Sequence, residues 1–210
     1  MKFSRVLLLL PQPVSLLITA GIIIIFAFFG PLEKTLGMNI RIVYFHGAWV
    51  WVGLTAFAMA ALTGLIGVVG RLNLWHRLSN SFALTGLLFW ITYLPISMLL
   101  MQLNWGGFFF DEPRWKVPFT FAIIAVLLQI GLRLINNHLL SSITNFFFAG
   151  ALFWSLENAV NILHPDSPIF QSNSINIRVF FGLLLALCLF AGWQINGMIF
   201  QKISSSQKSC

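Results

Sequence analysis

Apolar residues along this chain do not alternate with polar ones; they gather into six long runs, Val14 to Phe29, Val43 to Val69, Ser81 to Leu103, Val117 to Leu134, Ile143 to Leu163 and Ile177 to Phe200. Alternation would indicate half-buried strands, and a narrow apolar stripe would indicate the helices of a soluble domain. Sustained runs near 20 residues instead predict membrane-spanning helices. Turn-forming residues separate the runs: Gly30-Pro31, Gly70-Arg71, Trp105-Gly106-Gly107, Asn136-Asn137 and His164-Pro165. Pro95 falls inside the third run and predicts a kink there. The first run follows Lys2 and Arg5 as a secretory signal would, but no A-x-A cleavage site follows it, so a retained first helix is expected.

Composition narrows the class further. Hydrophobic residues make up 59% of the 210 positions and charged residues only 8%, against about 25% charged in soluble domains. The abundance of Phe, Leu and Ile also excludes a disordered chain. The expectation is an all-α integral membrane protein, a single domain of six transmembrane helices over residues 1–210. A net charge of +7 would point to nucleic acid in a soluble protein; in a membrane protein the basic residues set topology, so no nucleic-acid partner is expected. Cys188 and Cys210 form no CxxC pair and carry no disulfide framework. With both termini inside, Lys2, Arg5, Arg71, Arg77, Arg133, Lys202 and Lys208 face inward, and Lys34, Arg41, Arg114, Lys116 and Arg178 outward. That balance favours N-in, C-in. The carboxylates Glu33, Asp111, Glu112 and Asp166 then all lie outside, with Glu157 in the outer half of the fifth span.

This topology gathers chemistry on one face. His46 opens the second span, His164 closes the fifth, and an aromatic loop over residues 104–117 emerges between the third and fourth. Glu157, Asn161 and His164 are spaced i, i+4 and i+7 and are expected on one buried polar stripe of the fifth helix. An intramembrane acid there also fits a transporter path, although no inverted repeat accompanies it. His76 and His138 are expected on inner loops as ordinary interfacial residues. Two imidazoles from different helices can bind a metal ion or supply both axial ligands of a haem. Zinc requires two more ligands, and the outer loops offer only carboxylates beside Arg114, Lys116, Trp105 and three phenylalanines. Aromatic planes beside cations suit a flat macrocycle with propionates better than a small cation.

The ordered set of residues resembles a known family. Arg41-Ile42-Val43-Tyr44-Phe45-His46 is similar to an Arg-Ile-x-Tyr-x-His motif, and Asn161-Ile162-Leu163-His164, with Arg178 beyond it, to the segment around a second histidine. Trp105 to Arg114 aligns without gaps on W-G-x-W-W-x-W-D-x-R. Trp105, Gly106 and Arg114 are retained, Glu112 stands at the acidic position, and Phe108, Phe109 and Asp111 replace tryptophans. The chain thus resembles cytochrome c assembly proteins of the CcmC/CcsA haem-handling type, with a degenerate tryptophan-rich loop. The resemblance implies a haem-transfer protein, not an enzyme, in a bacterial-type cytoplasmic membrane. It implies haem b held transiently by the axial ligands His46 and His164, with Trp105, Phe108, Phe109, Glu112, Arg114 and Arg178 contributing to the site. The implied partners are a periplasmic haem chaperone or apocytochrome c, and ATP-binding-cassette subunits that would supply the nucleotide site this chain lacks. The alternative is a structural membrane subunit on the same fold whose haem site has decayed.

Overall fold

A computed structural model describes residues 12–160 and 169–206. These residues form six helices: α1 Gln12–Phe28, α2 Ile40–Gly70, α3 Asn73–Trp105, α4 Pro113–Ile135, α5 His138–Glu157 and α6 Ile175–Ser206. Among the described residues there is no strand beyond a single bridge between Glu33 and Gly37. Helices α2 to α6 are long and apolar enough to cross a membrane, whereas α1 is apolar but has 17 residues. By length and composition, the chain is an integral membrane protein.

Short, capped turns dictate the antiparallel arrangement. Arg71, in the left-handed region at φ 52°, ends α2, and α3 starts two residues later. Asn136, also left-handed, ends α4, and the Asn137 side chain accepts the Leu140 N–H to start α5. Asparagine tolerates this backbone conformation because its short amide bonds locally. Gly106 stops α3 at φ 72°, where its N–H donates to Gln102 O. Glu112 then caps α4 by accepting the Arg114 N–H, with Pro113 at the first helical position.

Helices α2 and α3 pair along their length. Helix α5 packs across both on one side and α6 across both on the other; α1 lies beyond α6, and α4 flanks α3 and α5. Two apolar cores result, one joining α1, α2, α3 and α6 around Tyr44, Phe89 and Phe181, the other joining α2 to α5 around Phe57, Trp90 and Leu152. Lipid tails are as apolar as leucine, so helix association rests on close packing and hydrogen bonds between helices. Trp49 Nε1 donates to Thr92 Oγ1 at 2.8 Å, Ser81 Oγ to Asn196 Oδ1 at 2.7 Å, and Gln194 Nε2 to Ser15 Oγ at 2.7 Å.

Three sequence expectations change. The third helix begins at Asn73, so His76 and Arg77 lie in its first turns and not on a loop. The 104–117 segment shrinks to a linker of residues 106–112, because Gly106 and the Glu112–Pro113 cap let the flanking helices consume the rest. The fifth helix ends at Glu157, where Asn158 turns its amide back to donate to Trp154 O at 2.8 Å. Helix α3 runs unbroken through Pro95.

Candidate functional site

The segment between α1 and α2 is a folded turn. Glu33 accepts the backbone N–H groups of Thr35 and Leu36 at 2.8 and 2.9 Å, and Gly37, at φ 54°, donates its N–H to Glu33 O. Such donors stabilise the charged carboxylate, with the Leu36 N–H contributing most, and hold its pKa below the ordinary value. The sequence pattern around His46 fixes this turn from the helix side. Arg41 Nε donates to Gly30 O at 3.3 Å, with its guanidinium 5.0 Å from the centre of the Phe28 ring. The Tyr44 hydroxyl donates to Pro31 O at 3.0 Å. Asn39 Nδ2 then ties the turn to the end of α3 through Asn104 Oδ1 at 3.1 Å and Leu103 O at 3.4 Å.

Behind the turn lies a cavity of about 520 Å³, within the roughly 300–1,000 Å³ range of ligand and cofactor pockets. Glu33, Thr35 and Leu36 line it from the turn, Ile40, Val43 and His46 from α2, and Ile169, Ser172 and Ile177 from the start of α6 and the residues before it. Helix α3 contributes Ser97, Leu100, Met101, Asn104 and Trp105, whose i, i+3, i+4, i+7 spacing turns one stripe toward the space. His46, half-buried, rests its ring against Tyr93 at 5.6 Å between centroids. The lining is mainly apolar with a few polar groups, the usual make-up of a small-molecule site.

Of the residues expected at the site, His46 and Trp105 meet at this cavity. Phe109 joins them indirectly, edge-on to Trp105 at 5.6 Å. Phe108 stacks instead on Phe110 at 5.7 Å, and Phe110 leads through Trp115 to Phe119 along the start of α4. Phe108, Glu112, Arg114 and Arg178 are not among the cavity's lining residues. Glu112 is buried and caps α4, Arg114 is half-buried in the first turn of α4, and Arg178 is exposed beside the lining residue Ile177. His164 lies outside the described residues, as do Asn161 and Asp166. Of the expected stripe of Glu157, Asn161 and His164, only Glu157 is described: it is the last residue of α5 and is exposed, as is Trp154.

Sequence reasoning missed Ser97, Asn104 and the Glu33 turn. The Ser97–Met101–Asn104 spacing, running from the third apolar run into the residue that follows it, is the signal that could have found the first two. Among the described residues, no three His, Cys, Asp or Glu side chains converge to hold a metal ion. A macrocycle that brings its own four nitrogens asks less of the protein, and one imidazole on a mainly apolar wall fits it. Compared with models of protein families and with curated proteins, the sequence matches none.

Proposed function

We propose that the protein binds haem b at the His46 cavity and passes it on for cytochrome c maturation on the outer face of a bacterial-type cytoplasmic membrane. In this proposal all six helices span the bilayer, with both termini inside. The observation that carries it is the His46 imidazole on the wall of a mainly apolar space of about 520 Å³ that also holds Trp105. His46 would hold the haem iron from the cavity wall, and His164 is assigned as a second holder on the resemblance alone. Leu100, Met101 and Ile177 would keep water from a bound macrocycle, and Trp105, 39% exposed, would offer it an aromatic face. Bound haem supplies the iron, which the histidines hold without chemistry of their own. The proposed recipient is a periplasmic chaperone or apocytochrome c. ATP hydrolysis, where transfer uses it, belongs to partner subunits.

The test is an absorption spectrum of detergent-purified protein from haem-sufficient cells, oxidised and reduced. Wild type is expected to show a Soret band, and His46→Ala to lose most of it. Protein that carries no haem under these conditions overturns the proposal. A second proposal, a structural subunit with a decayed site, is favoured by the linker: Glu112 is engaged in capping and Phe108 stacks on Phe110. It requires that a His46→Ala, His164→Ala protein still supports its complex and holocytochrome c formation. A complex that assembles without making holocytochrome c rejects this second proposal.

A further inference from the structure

The five carboxylates of the sequence are unevenly placed. Glu33, Asp111, Glu112 and Glu157 all stand at the end of the bundle that holds the cavity, and Asp166 follows α5 beyond the described residues. At the opposite end the described residues carry Arg71, Arg77, Arg133 and Lys202. Among the described residues, no Asp or Glu side chain stands at that end.

Arg77 is the one of these built into a seam between helices. Helices α3 and α6 run antiparallel, with Ser81 and Thr85 bonded to Asn196. One turn further toward this end the Arg77 guanidinium lies over the Phe200 ring, 5.9 Å from its centre. Ser204 extends the same stripe of α6 by another turn. Arg77 Nε and Ser204 Oγ are both buried, and among the described residues neither has a hydrogen-bond partner. A buried donor without an acceptor is costly, and at a membrane surface the abundant acceptor is a phosphate oxygen. The guanidinium lies over the Phe200 ring, one helical turn from Ser204 along α6, and a planar fork suits a phosphate.

We infer that Arg77 and Ser204, on the α3–α6 seam, form a phosphate site that takes the headgroup of an anionic phospholipid. The inference stands whether or not the cavity binds haem. The test titrates delipidated, detergent-solubilised protein with phosphatidylglycerol or with phosphatidylcholine of the same acyl chains, counting bound lipid by native mass spectrometry. Wild type is expected to retain phosphatidylglycerol in preference to phosphatidylcholine. Arg77→Gln is expected to weaken that binding about five- to tenfold, and Ser204→Ala to weaken it less. Arg133→Gln, which removes an exposed cation at the same end, is expected to leave it unchanged. A parallel arm adds inorganic phosphate. Displacement of the lipid shows that the site also takes the free anion, and failure to displace it assigns the lipid as the source. Arg77→Lys keeps the charge and loses the fork, so an intermediate affinity supports the site even where Arg77→Gln fails to fold. Equal lipid binding by Arg77→Gln and wild type overturns the inference. So does an equal loss in Arg133→Gln, which would mark a diffuse field, or an acidic protein segment whose capture depends on Arg77 while lipid binding does not.

Discussion

Each end of the α2–α3 pair carries a histidine near the start of a helix, and the two ends treat it in opposite ways. His46 and Gly67, which abuts His76, are separated along α2 by about 32 Å at 1.5 Å per residue, close to the thickness of a bilayer's hydrocarbon core. At one end His46 borders a cavity of about 520 Å³. At the other, His76 is buried, and its Nδ1 shares a 2.7 Å hydrogen bond with Ser142 Oγ. Around it Ser79 Oγ donates to Ala60 O, Asn145 Nδ2 donates to Ser79 Oγ, and Gln129 Nε2 donates to Asn145 Oδ1. Two glycines make that end dense. A Cβ on Gly64 would meet Ser142 O and Ser79 Oγ at 2.9 Å, and one on Gly67 would meet His76 Nδ1 at 2.9 Å. The same side chain is therefore mortar where backbones touch and a wall where they part. Residue type alone does not separate a structural histidine from a ligand; the packing of its neighbours does.

Enlarging one small residue at each end breaks or sharpens this contrast most. Gly64→Leu drives a side chain into the backbone of α5 and is expected to destabilise by about 3 kcal/mol or prevent folding. Ser97→Leu points into the cavity and is expected to cost no more than about 0.5 kcal/mol while reducing haem uptake. Unfolding in mixed detergent micelles measures both, and equal losses would show that the two ends pack alike. Next in size is Ser142→Ala, which strands a buried imidazole nitrogen at a cost of about 2 kcal/mol. Adding His76→Leu to that variant is expected to recover part of the loss, since removing both partners leaves no unsatisfied group. A double variant weaker than Ser142→Ala alone would contradict a purely packed role for this end.

Most of the helices were legible as apolar runs, because a bilayer demands them whatever the sequence does locally. Their ends were not. The Asn73–Asn80 segment is too polar to read as membrane span, yet its His76 and Ser79 are buried by partners on α5, 66 positions away for Ser142, a distance no local pattern encodes. The end of α5 was overread for the opposite reason: apolar residues continue past Glu157, but Asn158 bonds back to Trp154 O and closes the helix. At the cavity, the Arg41–Tyr44–His46 spacing was visible as a motif. That Arg41 and Tyr44 hold the 30–31 backbone while His46 turns to the open space depends on the fold of a turn that composition does not reveal.

That turn offers the gentler tests. Asn39→Ala removes the tie to Asn104 and Leu103, and a cost of about 1 kcal/mol is expected. Its signature is faster amide exchange over residues 33–39 with no change around His76; a uniform rise over both ends would mean global loosening instead.

The smallest effect expected is the titration of Glu33. Because N–H donors from Leu36 and Thr35 favour its carboxylate, the folded turn lowers its pKa, so the ionised group adds stability to the folded turn. Linkage then gives the sign: the contribution is whole above the unfolded value near 4.5 and disappears as pH falls through the lowered folded value. The group is solvated, so the change is local and the bundle stays folded. Trp105 shares the cavity with Glu33 and serves as its reporter. Its fluorescence is expected to shift below about pH 4.5 in wild type and to stay flat over the same range in Glu33→Gln, which cannot ionise. A Glu33→Gln protein that keeps the wild-type acid transition would place the titrating group elsewhere, and the turn would then owe its shape to Gly37, Arg41 and Tyr44 without the carboxylate.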